Sequence, residues 1–267
     1  MTNKANMGDL EPSAVTSLIP SIPQHALVRH NQDGSPRQTV IIPCLGENLI
    51  QPMPDDGFLV AFPRSYLKNG EYEYNALLID SSGKVVHTGA IGDAIAHLMT
   101  DSVGNIWVGY YDEGVFGRSI ASAGIIKWSP RLEPIWEFDQ SGDYQIDDCY
   151  TLNVTDDTVT ACPYRSFPIL AINNGQARIH PTQGPSGPHG LLVHNETAAI
   201  IGAYGNYGSM WIGPLIEFTD PVEWHLLLPD GSTPSERPIC RGSKSNLFVQ
   251  DQWFIFDLTD IASPQGT

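Results

Sequence analysis

Basic residues are scarce in this chain, and their scarcity excludes two classes of partner. Only 14 lysines and arginines accompany 30 aspartates and glutamates in 267 residues, which gives a formal charge of −16. Nucleic acids and anionic membrane surfaces are bound through basic faces, because their negative charges must be neutralised. We therefore expect neither as a partner, and expect instead a small polar ligand or another protein.

The chain also lacks a cysteine framework, a secretion signal and a long apolar run. Its four cysteines form no C-x-x-C pair and are interpreted as reduced core thiols: Cys44, Cys149, Cys162 and Cys240. The opening residues contain no apolar segment of the signal-peptide kind, and no window of ~18 uninterrupted apolar residues is present. These absences predict a cytoplasmic protein, with a loosely ordered leader over residues 1–24 and a single domain over residues 25–267.

Several catalytic motifs are missing as well. The sequence contains no phosphate-binding G-x-x-x-x-G-K-[ST], no G-x-S-x-G nucleophile elbow, no H-E-x-x-H zinc motif and no Rossmann glycine set. Nucleotide-dependent chemistry and serine hydrolysis on a known plan are therefore not expected. Whether the chain is an enzyme stays open at this point.

Short strands and turns are what the sequence does contain. Helical periodicity is nearly absent, and 25 glycines and 21 prolines interrupt short runs of β-branched and aromatic residues. Three pairs of such runs flank turn residues and predict hairpins: Asn75–Asp80 with Lys84–His87, Ile125–Trp128 with Pro134–Phe138, and Ile169–Ile172 with Ala177–His180. Gly92–Met99 is the one plausible helix, and it fits a strand equally well. The pattern predicts an all-β protein.

A repeat organises these strands. Five segments each combine a turn with a strand, and their equivalent positions recur at intervals of roughly 40–50 residues: Ala61, Gly109, Ala161, Gly202 and Val249. An apolar segment precedes each of them, and two further strands follow the first four. Because one small sheet cannot bury both of its own faces, such units stack around an axis. The sequence therefore predicts a β-propeller of five blades with four antiparallel strands each, with a β-sandwich as the alternative.

The fifth unit ends after two or three strands, which leaves one sheet short. The N-terminal segments Ala26–Arg29 and Gln38–Ile42 have strand composition and belong to no unit of their own. We expect this region to supply the missing outer strand and so to close the ring without open edges.

One unit carries a recognisable signature. Asp101–Gly109, with the sequence DSVGNIWVG, resembles the D-x-x-G-N-[IL]-W-[VI]-G pattern of bacterial propeller repeats, found in two-component sensors and, in variant form, in streptogramin-lyase-like propellers. A longer stretch, from VGYYDEGVFG to IDDCYTLNV, is similar to a group of actinobacterial-type propeller proteins of unassigned role. The resemblance implies the fold over most of the chain. It implies no activity, because no catalytic motif of a family is matched.

Propeller geometry predicts where functional residues lie, because each inner strand begins on the face where the second-to-third turns open. The residues that enter the inner strands are Glu47, Asp93, Asp147, Asp148, His189 and Arg241. The second-to-third turns carry Arg64, Tyr66, Asp112, Glu113, Arg165, Tyr204 and Tyr207. We expect these side chains to meet at the mouth of the central channel. Ligand binding is predicted for Arg64, Tyr66, Asp112, Glu113, Asp147, Arg165, Tyr204, Tyr207 and Arg241.

Recognition of a ligand or a protein ranks first among the chemistries that fit such a face. It needs nothing that the sequence lacks, and arginine and tyrosine are frequent in binding hot spots. The runner-up is a glycosidase-type hydrolase or a lyase, because glycosidases work with paired carboxylates. Its catalytic candidates are Asp93, Asp148, Glu47 and His189.

A divalent cation is the third alternative, with Asp93, Asp112 and Asp148 as its candidate ligands, because carboxylate oxygens suit Ca²⁺ and Mg²⁺. The arginines of the same face make a cofactor unnecessary, since they neutralise the carboxylates internally. Purely structural explanations also exist. Asp93, for example, follows a glycine in a turn, where aspartate commonly bonds its own backbone.

Overall fold

The computed structural model describes residues 24–31, 35–43, 47–156, 158–250 and 252–262. The predicted leader lies outside the described residues except for its last residue, Gln24, and Cys44 lies outside them as well. Within the described ranges, no helix is long and apolar enough to cross a membrane.

The chain is all-β and has the five-bladed β-propeller fold, with five antiparallel sheets following one another along the sequence. A hairpin comes first, formed by β1 (Gln24–His30) and β2 (Pro36–Pro43). The first sheet has the order β3-β4-β7-β8, and a two-stranded ribbon, β5-β6, is inserted in it. Their bounds are β3 (Leu49–Pro52), β4 (Phe58–Ala61), β5 (Leu67–Lys68), β6 (Glu71–Tyr72), β7 (Ala76–Ile79) and β8 (Val85–Gly89).

The other four sheets repeat this up-and-down order. The second sheet contains β9 (Ile95–Thr100), β10 (Ile106–Tyr110), β11 (Ile125–Trp128) and β12 (Pro134–Glu137); helix α1 (Asp112–Val115) and a 3₁₀ turn (Ile120–Ala123) lie between β10 and β11. The third contains β13 (Cys149–Val154), β14 (Val159–Pro163), β15 (Ile169–Asn173) and β16 (Gln176–His180). The fourth contains β17 (Gly190–His194), β18 (Thr197–Ala203), β19 (Asn206–Pro214) and β20 (Val222–His225). The fifth contains β21 (Ile239–Arg241), β22 (Lys244–Val249) and β23 (Gln252–Asp257), and helix α2 (Thr259–Ala262) follows it.

The predicted repeat is confirmed strand by strand. The five equivalent positions, from Ala61 to Val249, all fall in the second strand of their sheets, and the three predicted hairpins are present. Second strands are almost wholly buried in the first four sheets, while the outer strands β12, β16 and β20 are largely exposed. This gradient follows from stacking, because inner strands are covered on both faces. The segment Gly92–Met99 is not a helix, since Gly92 and Ala94 have positive φ angles of 94° and 62°, which no α-helix accepts, and strand β9 begins at Ile95.

The described residues divide into two compact units, one comprising residues up to 122 together with 126–135, the other comprising 123–125 and 136 onward. In the first unit, Val40 and Ile42 of β2 pack against Phe58, Val60 and Leu77 of the first sheet. The predicted N-terminal strands are therefore present, but their pairing differs from the expectation. They bond to each other as a separate two-stranded sheet, which buries Val40 and Ile42 against the first sheet. The described part of the fifth sheet has three strands.

In the second unit, neighbouring sheets pack face to face. One core cluster joins Cys162 and Ile169 of the third sheet to Leu191 and Ile200 of the fourth. The first strands of the three sheets are tied together by Asn153, which is 1% exposed. Its amide nitrogen donates to the carbonyls of Leu191 and Gly242, both at 2.8 Å, and its oxygen accepts from the Gly242 amide at 2.7 Å. A buried amide with three satisfied bonds fixes these strands relative to one another.

Candidate functional site

In the first unit, Arg64 holds two carboxylates that lie far apart in the sequence. Arg64 follows β4, and its guanidinium donates to both carboxylate oxygens of Asp93, from Nε at 3.0 Å and from Nη2 at 3.2 Å. Its Nη1 donates to the Tyr111 hydroxyl at 3.2 Å and to a carboxylate oxygen of Glu113. The Tyr66 ring lies 5.8 Å from the guanidinium carbon. Arg64 thus brings together three other predicted site residues, Asp93, Glu113 and Tyr66.

The backbone on either side of Asp93 is held in a demanding conformation. Its neighbours Gly92 and Ala94 have positive φ angles, and a β-carbon on Gly92 would lie 2.9 Å from the Tyr110 hydroxyl. That hydroxyl donates to the Ile91 carbonyl at 2.5 Å. Asp93 also accepts the Ser65 amide at 2.8 Å. These contacts hold the Asp93 carboxylate, which is 19% exposed, in place for Arg64.

The charges of this cluster compensate one another. Burial acts to lower the pKa of Arg64, but hydrogen bonds to Glu113 and Tyr111 and the charge of Asp93 together raise it. The arginine therefore stays charged, and it neutralises the carboxylates beside it. Asp112 lies exposed at the start of α1, where a carboxylate oxygen accepts the Glu113 amide at 2.8 Å.

The metal candidates do not assemble into a cation site. Among the described residues, no group of three His, Cys, Asp or Glu side chains could hold a metal ion. Asp93 is occupied by Arg64 and Ser65, and Asp112 lies at the start of α1. Glu47 is exposed just before β3. Asp148 precedes β13, and its carbonyl accepts the Tyr164 amide at 2.8 Å.

In the second unit, the turn after β14 has an unusual backbone. Arg165, Ser166 and Phe167 have φ angles of 71°, 68° and 45°, so three consecutive residues other than glycine adopt the left-handed region. Each such residue costs about 1–2 kcal/mol, and runs of this kind persist only where the surroundings enforce them. Strained turns of this type concentrate at binding and catalytic sites, which makes this turn a candidate functional element.

This turn buries Phe167 beneath three tyrosines, which we call the tyrosine patch: Tyr150, Tyr164 and Tyr204. Phe167 is 6% exposed, and its ring centroid lies 5.1 Å, 5.6 Å and 5.9 Å from those of the three tyrosines, in edge-to-face geometry. Tyr164 and Tyr204 are 44% and 56% exposed. The rings of Tyr164 and Tyr204 therefore pack on the buried Phe167 side chain and also expose part of their surface to solvent.

Hydrogen bonds fix the patch and the turn. The hydroxyls of Tyr150 and Tyr204 are 2.8 Å apart, and Tyr150 also stacks on Tyr164 with centroids 6.0 Å apart. Burial, followed by the hydrogen bond to Tyr204, raises the pKa of Tyr150, so its hydroxyl stays protonated at neutral pH. The Tyr144 hydroxyl donates to the carbonyls of Tyr164, at 2.6 Å, and Arg165, at 3.2 Å.

Two predicted residues form an ion pair at the same turn. The guanidinium of Arg165 donates from Nε to a carboxylate oxygen of Asp147, and from Nη1 to the Gln145 side-chain oxygen at 3.4 Å. The Arg165 side chain remains half exposed, whereas that of Asp147 is mostly buried. Arg165, Asp147 and Tyr204 therefore lie at one turn and its surroundings, and their role in ligand binding stays a prediction.

His189 and Tyr207 form a separate pair in the fourth sheet. Their rings stack with centroids 4.4 Å apart and planes 11° apart. The other side of the histidine faces Gly202, where a β-carbon would lie 2.4 Å from His189 Cδ2. Neither ring nitrogen of His189 has a hydrogen-bond partner within the described ranges. The ring of His189 is therefore packed between Gly202 and Tyr207, and a catalytic role for it stays a prediction.

Arg241 lies away from Arg165 and Asp147. It ends β21 beside Gly242, which bonds to Asn153 near the end of β13, and the charge of Asp156 in the following turn acts on it. Asp147 precedes the start of β13. Arg241 and Asp147 thus lie at opposite ends of the strands, so Arg241 is not part of the cluster around Arg165. The cluster around Arg64 lies in the first unit and the cluster around Arg165 lies in the second. The single ring of polar groups therefore stays a prediction.

Sequence reasoning missed the members of the tyrosine patch other than Tyr204, together with Tyr144. Tyr150 lies in β13 and Tyr164 directly follows β14, and neither was among the residues expected at the strand entrances or in the second-to-third turns. One signal was present: the turn reads PYRSFP, where prolines at 163 and 168 frame two aromatics and an arginine.

No protein-family model matches the chain, and no curated protein is similar to it in sequence. Solved structures are similar in fold only. The dihydro-heme d1 dehydrogenase NirN in complex with DHE aligns with a TM-score of 0.50 at 11% identity over 86% of this chain and 46% of that one. Hydrazine synthase from Kuenenia stuttgartiensis gives 0.48 at 14% over 78% and 62%, and BamB from Moraxella catarrhalis gives 0.45 at 9% over 89% and 70%.

The chain therefore spans less than two thirds of the NirN and hydrazine synthase chains that it resembles. The likeness to NirN concerns the β-propeller fold. The β-propeller fold that the resemblance of Asp101–Gly109 to bacterial propeller repeats implies is present. The specific type of repeat stays a prediction.

Proposed function

We propose that this protein recognises a small polar ligand and that the tyrosine patch of the second unit is its binding surface. The observation that supports this most directly is the rigid presentation of exposed rings. Tyr164 and Tyr204 offer accessible faces, while Phe167, the Tyr144 hydroxyl and the left-handed turn hold them in place. A preformed surface loses little conformational entropy when it binds.

The side chains around the patch indicate the chemistry of the ligand. Tyrosine combines an apolar ring with a polar hydroxyl, and such rings pack against flat ligands that also carry hydroxyl groups. Arg165 and Asp147 lie at the same turn and offer a donor and an acceptor. We therefore propose a neutral ligand with an apolar ring face and several hydroxyls, of the chemical class of a mono- or disaccharide. A protein partner needs about 800 Å² of surface on each side, far more than three rings provide.

Hydrolysis is not favoured as the function. Of its candidates, Asp93 is bound through both oxygens by Arg64, and His189 is packed between Gly202 and Tyr207. A general acid must hold a proton near the scissile bond, whereas the arginine favours the ionised carboxylate.

Saturation-transfer difference NMR tests this proposal with glucose, N-acetylglucosamine, cellobiose and maltose at millimolar concentration. We expect saturation to pass from the protein to at least one of these sugars, and to be lost in Tyr204→Ala. Tyr74→Ala is the matched control, because Tyr74 is also an exposed tyrosine but lies in the first unit. If no sugar receives saturation, or if Tyr204→Ala leaves the signal unchanged, the proposal is wrong.

We also propose a cytoplasmic location. Three cysteines of the described chain, Cys149, Cys162 and Cys240, are buried free thiols. Burial raises the pKa of Cys162 and of Cys240 to about 12, so neither forms a reactive thiolate at neutral pH. Unpaired thiols are typical of proteins in reducing compartments. Cell fractionation followed by immunoblotting tests the compartment: we expect the protein in the cytosolic fraction, and its recovery from the periplasm or the culture medium would contradict the proposal.

A further inference from the structure

A cavity of about 330 Å³ lies between the fourth and fifth sheets, within the second unit. It is separate from the tyrosine patch, and its lining is predominantly apolar. Its apolar lining includes Leu226, Leu228, Pro234, Pro238, Leu247 and Phe256. Cavities of this size are at the lower end of the range that binds small molecules.

The cavity has a defined architecture. Its floor comes from β22 and β23, and one side comes from the connection between β20 and β21, which contributes Leu226, Leu228 and Pro234. This connection is held in place, because the Leu226 amide donates to the Gly208 carbonyl at 2.6 Å and the Leu228 amide donates to the Ser232 carbonyl at 2.9 Å. Thr233 packs so closely on Gly208 that a β-carbon there would lie 2.1 Å from Thr233 Cγ2. The cavity is therefore built into the fold of this unit.

Few polar groups face the cavity, and they differ in character. The polar residues of the lining are Ser245, Tyr207, whose ring is fixed by stacking on His189, and Glu236. One carboxylate oxygen of Glu236 accepts the Ser235 amide at 3.1 Å. No lysine, arginine or histidine is among the described lining residues. A carboxylate at the side of an apolar cavity attracts a cation or a hydrogen-bond donor and repels an anion.

We propose that this cavity binds an apolar molecule that carries one hydrogen-bond donor, such as a hydrophobic amine or alcohol, with its donor directed at Glu236. The volume suits two or three fused rings or a chain of about ten carbons, because an engineered cavity of roughly 150 Å³ holds one benzene ring. An acid of the same length is excluded, because its carboxylate would face the Glu236 carboxylate.

Fluorescence of 1-aminoanthracene, a neutral aromatic amine whose emission rises in apolar surroundings, measures occupancy. We expect the probe to bind the intact chain and to be displaced by decylamine below its micelle concentration and by decanol below its solubility limit. Decanoate should displace it at least about tenfold more weakly. No fluorescence increase, or equal displacement by decanoate and decylamine, would overturn the proposal.

Two variants locate the binding. Leu228→Trp fills the cavity from its side and should weaken probe binding about tenfold. Ile239→Trp is the matched control: it introduces the same side chain at an exposed position outside the lining and should leave binding unchanged. Glu236→Gln should weaken displacement by decylamine several-fold while decanol is unaffected. Unchanged probe binding by a folded Leu228→Trp variant would contradict the proposal. If that variant fails to fold, an unchanged decylamine-to-decanol ratio in Glu236→Gln would contradict it instead.

Discussion

Gly187 and Tyr204 are packed so closely that position 187 leaves no room for a side chain. A β-carbon there would lie 2.4 Å from Cδ1 of the tyrosine ring, and Gly187 has a φ angle of 71°. The Tyr204 amide also donates to the Ser186 carbonyl at 3.0 Å. The position of the most exposed ring of the tyrosine patch therefore depends on a glycine in the preceding connection.

Gly187→Ala should lower the free energy of unfolding by about 2–4 kcal/mol, as measured by urea denaturation. The left-handed backbone accounts for about 1–2 kcal/mol and the forced movement of Tyr204 for the rest. Gly70→Ala is the control, because Gly70 has a φ angle of 91° and a β-carbon there would meet nothing within 4 Å. It should show the backbone cost alone. Equal losses in the two variants would contradict the close contact with Tyr204.

Tyr144→Phe should loosen the strained turn. The variant keeps the ring but removes the hydroxyl that donates to the carbonyls of Tyr164 and Arg165. We expect a loss of about 1–2 kcal/mol in the free energy of unfolding, and faster amide hydrogen exchange in residues 165–167.

The control for this variant is Tyr74→Phe, because the Tyr74 ring is exposed. Its stability should stay within about 0.5 kcal/mol of the parent chain. If Tyr144→Phe exchanged at the parent rate in residues 165–167, the hydroxyl would have no part in holding the turn.

Sequence reasoning predicted the fold well because the relevant information is local. Turn residues and short apolar runs specify hairpins, and the recurrence from Ala61 to Val249 specifies five similar sheets. The pairing of the N-terminal hairpin was not predictable in the same way. Its strand composition is evident, but whether Val40 and Ile42 join an existing sheet edge or pack on a sheet face is decided by contacts distant in sequence.

The candidate site was predicted only in part, for a similar reason. Charged residues next to strand ends identified Arg64, Asp93 and Arg165, because charge at such positions is visible in the sequence. The left-handed turn was not visible, since Arg165-Ser166-Phe167 contains none of the glycine or asparagine residues that normally signal positive φ.

Three turns that share the pattern Asp-x-Ser should make stability depend on pH in acid: Asp80 with Ser82, Asp139 with Ser141, and Asp230 with Ser232. In each, a carboxylate oxygen accepts the serine hydroxyl at 2.6 Å and the serine amide at 2.9 Å. The hydroxyl, followed by backbone donors, lowers the pKa of each aspartate. The resulting stabilisation is complete above the unfolded value of about 3.9 and is lost as the pH falls through the lowered folded pKa.

Replacing all three serines by alanine should move the pKa values of these aspartates back toward their ordinary value, as measured by carbon-detected NMR titration of the carboxyl groups. Ser81→Ala is the control, because it changes a neighbouring serine in the first of these turns while leaving the Ser82 hydroxyl in place. Aspartate titration curves that were identical in the triple variant and the parent would show that the hydroxyls have no effect.

His189 should make the second unit less stable in mild acid. Burial, followed by the charge of Arg237, lowers the pKa of His189 below the value of about 6.5 expected in an unfolded chain. The unfolded state then binds a proton more readily than the folded state, so stability is complete above about pH 6.5 and declines as the pH falls from there. His189→Phe keeps a flat ring between Gly202 and Tyr207 but cannot titrate, so its melting temperature should decline less between neutral and mildly acidic pH. His225→Phe, at an exposed position of β20, should follow the parent curve, and a His189→Phe curve parallel to that of the parent would contradict the prediction.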